Sequence, residues 1–189
     1  MNKAVFLDRD GTINVEKHYL YRIEEFEFLP GVIEGLKLLQ NSGYLLVIIS
    51  NQSGIARGYY TEKDLLLLNK WMIDLLNNQG IDISAFYYCP HHPKAKIVKY
   101  RKECTCRKPA LGLYEKAIKD LDIDVKSSWA IGDKIRDCSI CEVMGCRGIL
   151  IENNESNEVI NQVKAGEFKR LEYMPDLLAA SKRIVEGIS

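Results

Sequence analysis

The stretch YLLVII, residues 44–49, is an unbroken apolar run rich in β-branched residues, closed at once by Ser50 and Asn51. A run of that length and kind suits a strand buried on both faces, which is the position of a central strand in a parallel sheet covered by helices. Parallel strands need long crossovers, and the chain supplies them on either side. Residues 3–7 read as a first strand, and residues 30–40 follow with Val32, Ile33, Leu36 and Leu39 at helical spacing before Asn41, Ser42 and Gly43. Thr61 is placed as an N-cap with Asp64 in the first turn, and Leu65, Leu68, Trp71, Met72, Leu75 and Leu76 carry that helix to about Asn78. Further strands are expected at 85–88, 128–131 and 148–151, and helices over 111–121, 135–144, 159–164 and 175–185. This alternation predicts an α/β fold with a doubly wound, mainly parallel sheet, as one domain over residues 1–189. The gaps at 14–30 and 50–85 hold only short loops and the expected helices, so no large cap domain is expected.

Charge narrows the partners. Lysine and arginine total 26, as do aspartate and glutamate, so there is no cationic excess to hold a polyanion, and small molecules are favoured over nucleic acid. The first residues are too short an apolar stretch for a signal peptide and no run of about 18 apolar residues follows, so a cytoplasmic protein without a membrane partner is expected. No heptad or apolar surface stripe is evident, and a monomer is the expectation.

In doubly wound sheets ligands bind outside the carboxyl ends of the strands. The first four expected strands end at Asp8, Ser50, Cys89 and Asp133, so four separate loops bring reactive side chains to one edge. Taken singly each has a plainer reading: Asp8-Arg9-Asp10 as a solvated turn, Ser50 as a cap, Lys108 as a surface charge, Asp133 as a helix N-terminal acid. Their joint placement is what those readings leave unexplained. Asp8, Asp133 and a carbonyl near Asp10 suit Mg²⁺, a hard cation that takes oxygen ligands. Asp8 could then attack phosphorus and Asp10 carry the proton, while Ser50 and Lys108 hold the phosphoryl oxygens.

The six cysteines, without a secretory signal, point to thiols or metal ligands before disulfides. Cys89, Cys104 and Cys106, with His91 or His92, form a C-x-H and C-x-C set suited to a closed structural Zn²⁺ site. The C-x-C runs directly into Arg107 and Lys108, so zinc would organise the loop that presents both cations. Cys138, Cys141 and Cys146 lack a second ligand pair and read as buried thiols. Arg57 reads equally as a solvated charge or a substrate contact.

FLDRDGTIN, IISNQSGIARG, CRKP and AIGDKIRD together resemble the four motifs of the haloacid-dehalogenase superfamily phosphatases, and YYCPHHP with CTC is similar to the heptose bisphosphate phosphatases within it, over roughly residues 4–150. That resemblance implies Asp8 as nucleophile, Asp10 as general acid and base, Ser50 and Lys108 as phosphate-holding residues and Asp133 as the Mg²⁺ ligand, with Asp8, the Asp10 carbonyl and Lys134 completing the metal set. It selects His91 over His92 for zinc. It further implies substrate contacts at Arg9, at Glu16, Lys17, His18 and Tyr19, at Asn51, Gln52 and Ser53, and at Arg107. Related enzymes often have threonine where Ser50 stands, and the hydroxyl is retained. The activity implied is removal of the C7 phosphate of a heptose 1,7-bisphosphate on the way to an activated heptose for lipopolysaccharide or another surface polysaccharide. Histidinol-phosphate phosphatase shares the scaffold and is the alternative enzyme. A zinc-loop binding module on an inactive phosphatase fold is the alternative from another class.

Overall fold

The computed structural model describes residues 1–152 and 154–187. In chain order it contains β1 (Ala4–Leu7), α1 (Val32–Asn41), β2 (Leu45–Asn51), α2 (Ser53–Arg57), α3 (Glu62–Asn78), β3 (Ile83–Cys89), α4 (Gly112–Leu121), β4 (Trp129–Gly132), α5 (Ser139–Met144), β5 (Arg147–Ile151), α6 (Asn157–Lys164), β6 (Leu171–Met174) and α7 (Leu177–Glu186). The strands form one six-stranded parallel sheet in the order β3-β2-β1-β4-β5-β6. The order reverses at β1, so the crevice between the carboxyl ends of β1 and β4 is the topological switch point at which such sheets bind ligands.

Alternation along each strand divides the core in two. Val5, Leu7, Leu46 and Ile48 face the layer of α1, α3 and α7, where Leu36, Leu39, Met72, Leu76 and Ile184 are buried. Ala4, Phe6, Val47 and Ile49 face the layer of α4, α5 and α6, where Tyr114, Ala117, Ile140, Cys141 and Ile160 are buried. The expected cap of α3 is present as a reciprocal box: Thr61 Oγ1 accepts from Asp64 N–H, and Asp64 Oδ2 accepts from Thr61 N–H.

Three elements depart from expectation. The helix expected over 135–144 is a 3-10 turn, Ile135–Cys138, followed by α5, because Asp137 turns inward and its Oδ2 accepts Lys134 N–H at 3.0 Å. The short α2 and the edge strand β6 were not expected. The C-terminal segment adds that strand to the sheet and returns α7 onto α1, where a Cβ at Gly35 would lie 3.0 Å from Ser181 Oγ. Between β1 and α1 the described chain holds only a 3-10 turn, Ile23–Glu25, and isolated bridges of Asn14 to Asp10 and Phe28.

Candidate active site

Asp8 follows the last residue of β1 and its N–H donates to Ile131 O of β4, which fixes it at the switch point. Lys108 Nζ donates to Asp8 Oδ1 at 2.8 Å and to Ile49 O at 2.7 Å, and it pairs with Asp137 Oδ1 at 2.7 Å. The backbone of Lys108 is held by Asn51 at the end of β2: Asn51 Oδ1 accepts from Lys108 N–H and Asn51 Nδ2 donates to Lys108 O. Asp133, after β4, accepts from Asn154 Nδ2 at 2.7 Å. The space for this carboxylate exists because residue 11 is glycine. A Cβ there would sit 2.3 Å from Asp133 Oδ2, and its φ of +85° is itself one that glycine adopts freely.

Asp8, Asp133 and Asp137 place carboxylate oxygens within 4.8 Å of one another, and the ammonium of Lys108 pairs with Asp8 and Asp137. Burial, with neighbouring carboxylates, pushes Asp8 up to about 8 and Asp133 up to about 6. The excess of buried negative charge and the all-oxygen donor set fit a hard divalent cation such as Mg²⁺.

Asp10 is aimed by its neighbours. Arg9 donates from Nε and Nη2, Asn14 Nδ2 donates to Oδ1 at 3.0 Å, and Gln52 Nε2 donates to Oδ2 at 2.9 Å. Ser50 is buried at the end of β2, and its Oγ accepts from Gln52 Nε2 at 2.7 Å.

The cleft above these groups, about 450 Å³, is lined by Asp8, Asp10, Asp133 and Lys108 together with Glu16, His18, Tyr19, Asn51, Gln52, Ser53, Arg107 and Lys134 from the expected set. His18 and Tyr19, which line the cleft from the segment between β1 and α1, have φ of 48° and 72°, strained values for residues with side chains. Two expected substrate contacts have side chains turned elsewhere. Arg9 is fully buried, bound to Asp10, Asn69 Oδ1 and Leu20 O, so its guanidinium organises Asp10 instead of facing the cleft. Lys17 pairs with Glu27 at 3.2 Å. Lys134 lines the cleft, but its carbonyl accepts Asp137 N–H, while Asp137 supplies a carboxylate to the acidic cluster.

Residues not singled out from the sequence also line the cleft: Tyr60, Arg136, Asp137 and Asn154, and Arg57 stands with them. Asp137 carried a legible signal, since it repeats a carboxylate four residues after Asp133 in GDKIRD. Tyr60, Arg136 and Asn154 carried none. Burial and the neighbouring Arg136 hold the Arg107 guanidinium below the usual arginine value, which places two like charges side by side over the cleft.

Beyond Arg107 lies the cysteine cluster. Cys106 Sγ is 3.1 Å from Cys89 Sγ, 3.2 Å from Cys104 Sγ and 3.2 Å from His91 Nδ1, and Cys89 Sγ is 3.6 Å from Cys104 Sγ. These edges approach those of a tetrahedron with Zn–S bonds of about 2.3 Å, so the four side chains fit structural Zn²⁺. His92 is directed elsewhere: its Nδ1 accepts Lys94 N–H and its Nε2 meets Arg57. Arg107 Nη1 donates to His91 O at 3.4 Å, which ties the metal loop to the cleft.

The profile of the polynucleotide kinase 3 phosphatase family matches residues 3–138, and that of the haloacid-dehalogenase-like hydrolases matches residues 105–181. A D-glycero-β-D-manno-heptose-1,7-bisphosphate 7-phosphatase of Pasteurella multocida is 39% identical over all of this chain and 99% of its own. A D-glycero-α-D-manno-heptose-1,7-bisphosphate 7-phosphatase of Photorhabdus laumondii is 47% identical over 76% of this chain and 78% of its own. The crystal structure of D,D-heptose 1,7-bisphosphate phosphatase from B. bronchiseptica, complexed with magnesium and phosphate, superposes with a TM-score of 0.82 at 27% identity, covering 98% of this chain and 99% of that one. The chain belongs to the family of the D-glycero-D-manno-heptose-1,7-bisphosphate 7-phosphatases, within the haloacid-dehalogenase superfamily.

Proposed function

We propose that this chain is a Mg²⁺-dependent phosphatase that removes the C7 phosphate of D-glycero-D-manno-heptose 1,7-bisphosphate, serving the synthesis of an activated heptose for a surface polysaccharide. The observation that carries this reading is the group of cations that line the cleft in addition to Lys108. Lys108 serves the phosphoryl group at the floor, and Arg57, Arg107, Lys134 and Arg136 line the same cleft. One monoester does not need them, whereas a second phosphate does. Histidinol phosphate carries an ammonium at its other end, which this lining would repel.

In the reaction Asp8 attacks phosphorus, forming an O–P bond as the bond to the C7 oxygen breaks. Asp10, held by Arg9, Asn14 and Gln52, gives its proton to the departing alkoxide. Water then attacks the aspartyl-phosphate, Asp10 takes the water's proton, and Asp8 is regenerated with release of inorganic phosphate. Lys108 and the Ser50 hydroxyl hold phosphoryl oxygens as charge grows on them. Asp8, Asp133 and the Asp10 carbonyl would hold Mg²⁺, which when bound neutralises the carboxylates and phosphoryl oxygens.

The same reading has the chain acting as a monomer in the cytoplasm, in keeping with six cysteines that are not paired in disulfides; sedimentation of the purified protein checks its state. The test of function is phosphate release with Mg²⁺ from both anomers of the heptose bisphosphate and from histidinol phosphate. A kcat/KM at least a hundredfold higher for one heptose anomer, about 2.7 kcal/mol of transition-state discrimination, supports the reading. Preference for histidinol phosphate would overturn it, and no turnover of any would favour the binding-module alternative.

A further inference from the structure

Tyr60 lies outside every motif of the sequence, yet its hydroxyl donates to Gln52 Oε1 at 2.5 Å inside the cleft wall. The amide of Gln52 has two protons on Nε2, and both are spent: one on Asp10 Oδ2 at 2.9 Å, the other on Ser50 Oγ at 2.7 Å. Because Ser50 accepts from Gln52, its own proton is left to donate towards a phosphoryl oxygen. A flipped amide would reverse each of these contacts. Its oxygen would face the Asp10 carboxylate and draw in the Ser50 proton.

What sets the amide is therefore the tyrosine. Burial pushes the Tyr60 phenol well above its usual range, so it stays a donor, and a donor can satisfy only Oε1. The ring is fixed in turn: it stacks on Tyr21 with centroids 5.4 Å apart, and it fills the space that a Cβ at Gly54 would occupy, 2.2 Å from Tyr60 Cε1. Gln52 is 2% exposed and Tyr60 6%, so water does not compete for these bonds.

We propose that Tyr60 and Gln52 are positioning residues that lock the orientation of Asp10 and the donor direction of Ser50, so that leaving-group protonation depends on a hydroxyl that acts through the Gln52 amide. The proposal rests on the phosphatase reading above and on the roles given there to Asp10 and Ser50. Its signature is leaving-group dependence. An alkoxide or phenolate leaves with help from Asp10, whereas p-nitrophenolate leaves almost unaided, and kcat/KM reports the step in which that bond breaks.

The test compares wild type, Tyr60→Phe and Gln52→Met on heptose bisphosphate, phenyl phosphate and p-nitrophenyl phosphate with Mg²⁺. Tyr60→Phe keeps the ring packing and is expected to lose about tenfold in kcat/KM on the sugar and on phenyl phosphate, but only about twofold on p-nitrophenyl phosphate. Gln52→Met is expected to widen that gap. Equal losses on all substrates, or no loss in either variant, would overturn the proposal. If wild type hydrolyses both aryl phosphates and not the heptose bisphosphate, the substrate reading fails alone, and the phenyl to p-nitrophenyl ratio still decides the lock.

Discussion

Lys108 Nζ lies 2.7 Å from Asp137 Oδ1, with both side chains 1% exposed. The contact is a buried ion pair, while Asp137 Oδ2 holds the Lys134 N–H. The lysine thus stands between Asp137 and the nucleophile, and these two carboxylates raise its pKa against the opposing effect of burial. Asp137→Asn removes the charge and keeps the shape. Lys108 is then left to Asp8 and Ile49 O, with part of a buried charge uncompensated. The expected outcome is a loss of about 3 kcal/mol in urea unfolding and about a hundredfold in kcat/KM. Unchanged values of both would mean that Asp137 does not hold the lysine.

Zinc should act on substrate chiefly through Arg107, because the backbone of Lys108 is also held by Asn51. His91 supplies both a metal ligand and the carbonyl that receives Arg107, so loss of the metal frees the arginine without touching Asp8 or Asp10. Cys104→Ser is expected to lower bound zinc in metal analysis, to open the segment 89–108 to limited proteolysis, and to raise KM for a bisphosphate by about tenfold with a smaller change in kcat. A fall in kcat with an intact KM would assign the zinc loop to the chemistry.

The motifs were legible because the chemistry that they serve requires residue types at fixed places after strands, and apolar runs mark the strands. Asp8, Ser50 and Asp133 were placed by that logic, and the sheet brings all three to one edge. β6 was not legible: it is four residues long, LEYM, and only Leu171 is buried, so neither periodicity nor a continuous apolar run distinguishes it. Tyr60 and Asn154 were hidden for another reason. Their partners, Gln52 and Asp133, are set by loop geometry, and nothing local in the chain records which distant polar group a loop side chain will meet. Arg9 shows the converse: a charged side chain inside a catalytic motif gives no local sign that its guanidinium is buried against Asn69 and Leu20.

Glu62, the first residue of α3, ties that helix to β3 and the metal loop by accepting from the hydroxyls of Tyr100 and Tyr88. These two hydrogen bonds, Tyr100 first, hold its carboxyl below the ordinary glutamate value of 4.5. A carboxylate depressed in the folded state stabilises the protein above its unfolded value, and this contribution is lost as pH falls through the folded value. Glu62→Gln should therefore be less stable than wild type at pH 7, and the difference should close at pH values under 4.5. Urea unfolding of both proteins across that range checks it, and a difference that persists at the acid end would assign the loss to packing.

Arg136 is exposed, crowds Arg107 and lines the cleft, an arrangement that repels itself until an anion enters. Relief of that repulsion predicts that Arg136→Ala keeps or slightly raises stability in the absence of substrate. With substrate the balance reverses, because the second phosphate would lie among these cations while the reacting one is held by Lys108. Arg136→Ala should lower kcat/KM about tenfold for a heptose 1,7-bisphosphate and leave the corresponding 7-monophosphate within about twofold. Since both substrates share the scissile phosphate, the ratio isolates the remote end from the chemistry. Equal losses on the two would place Arg136 at the reacting phosphate, and a loss confined to the monophosphate would remove the cationic lining as the reason for choosing a bisphosphate.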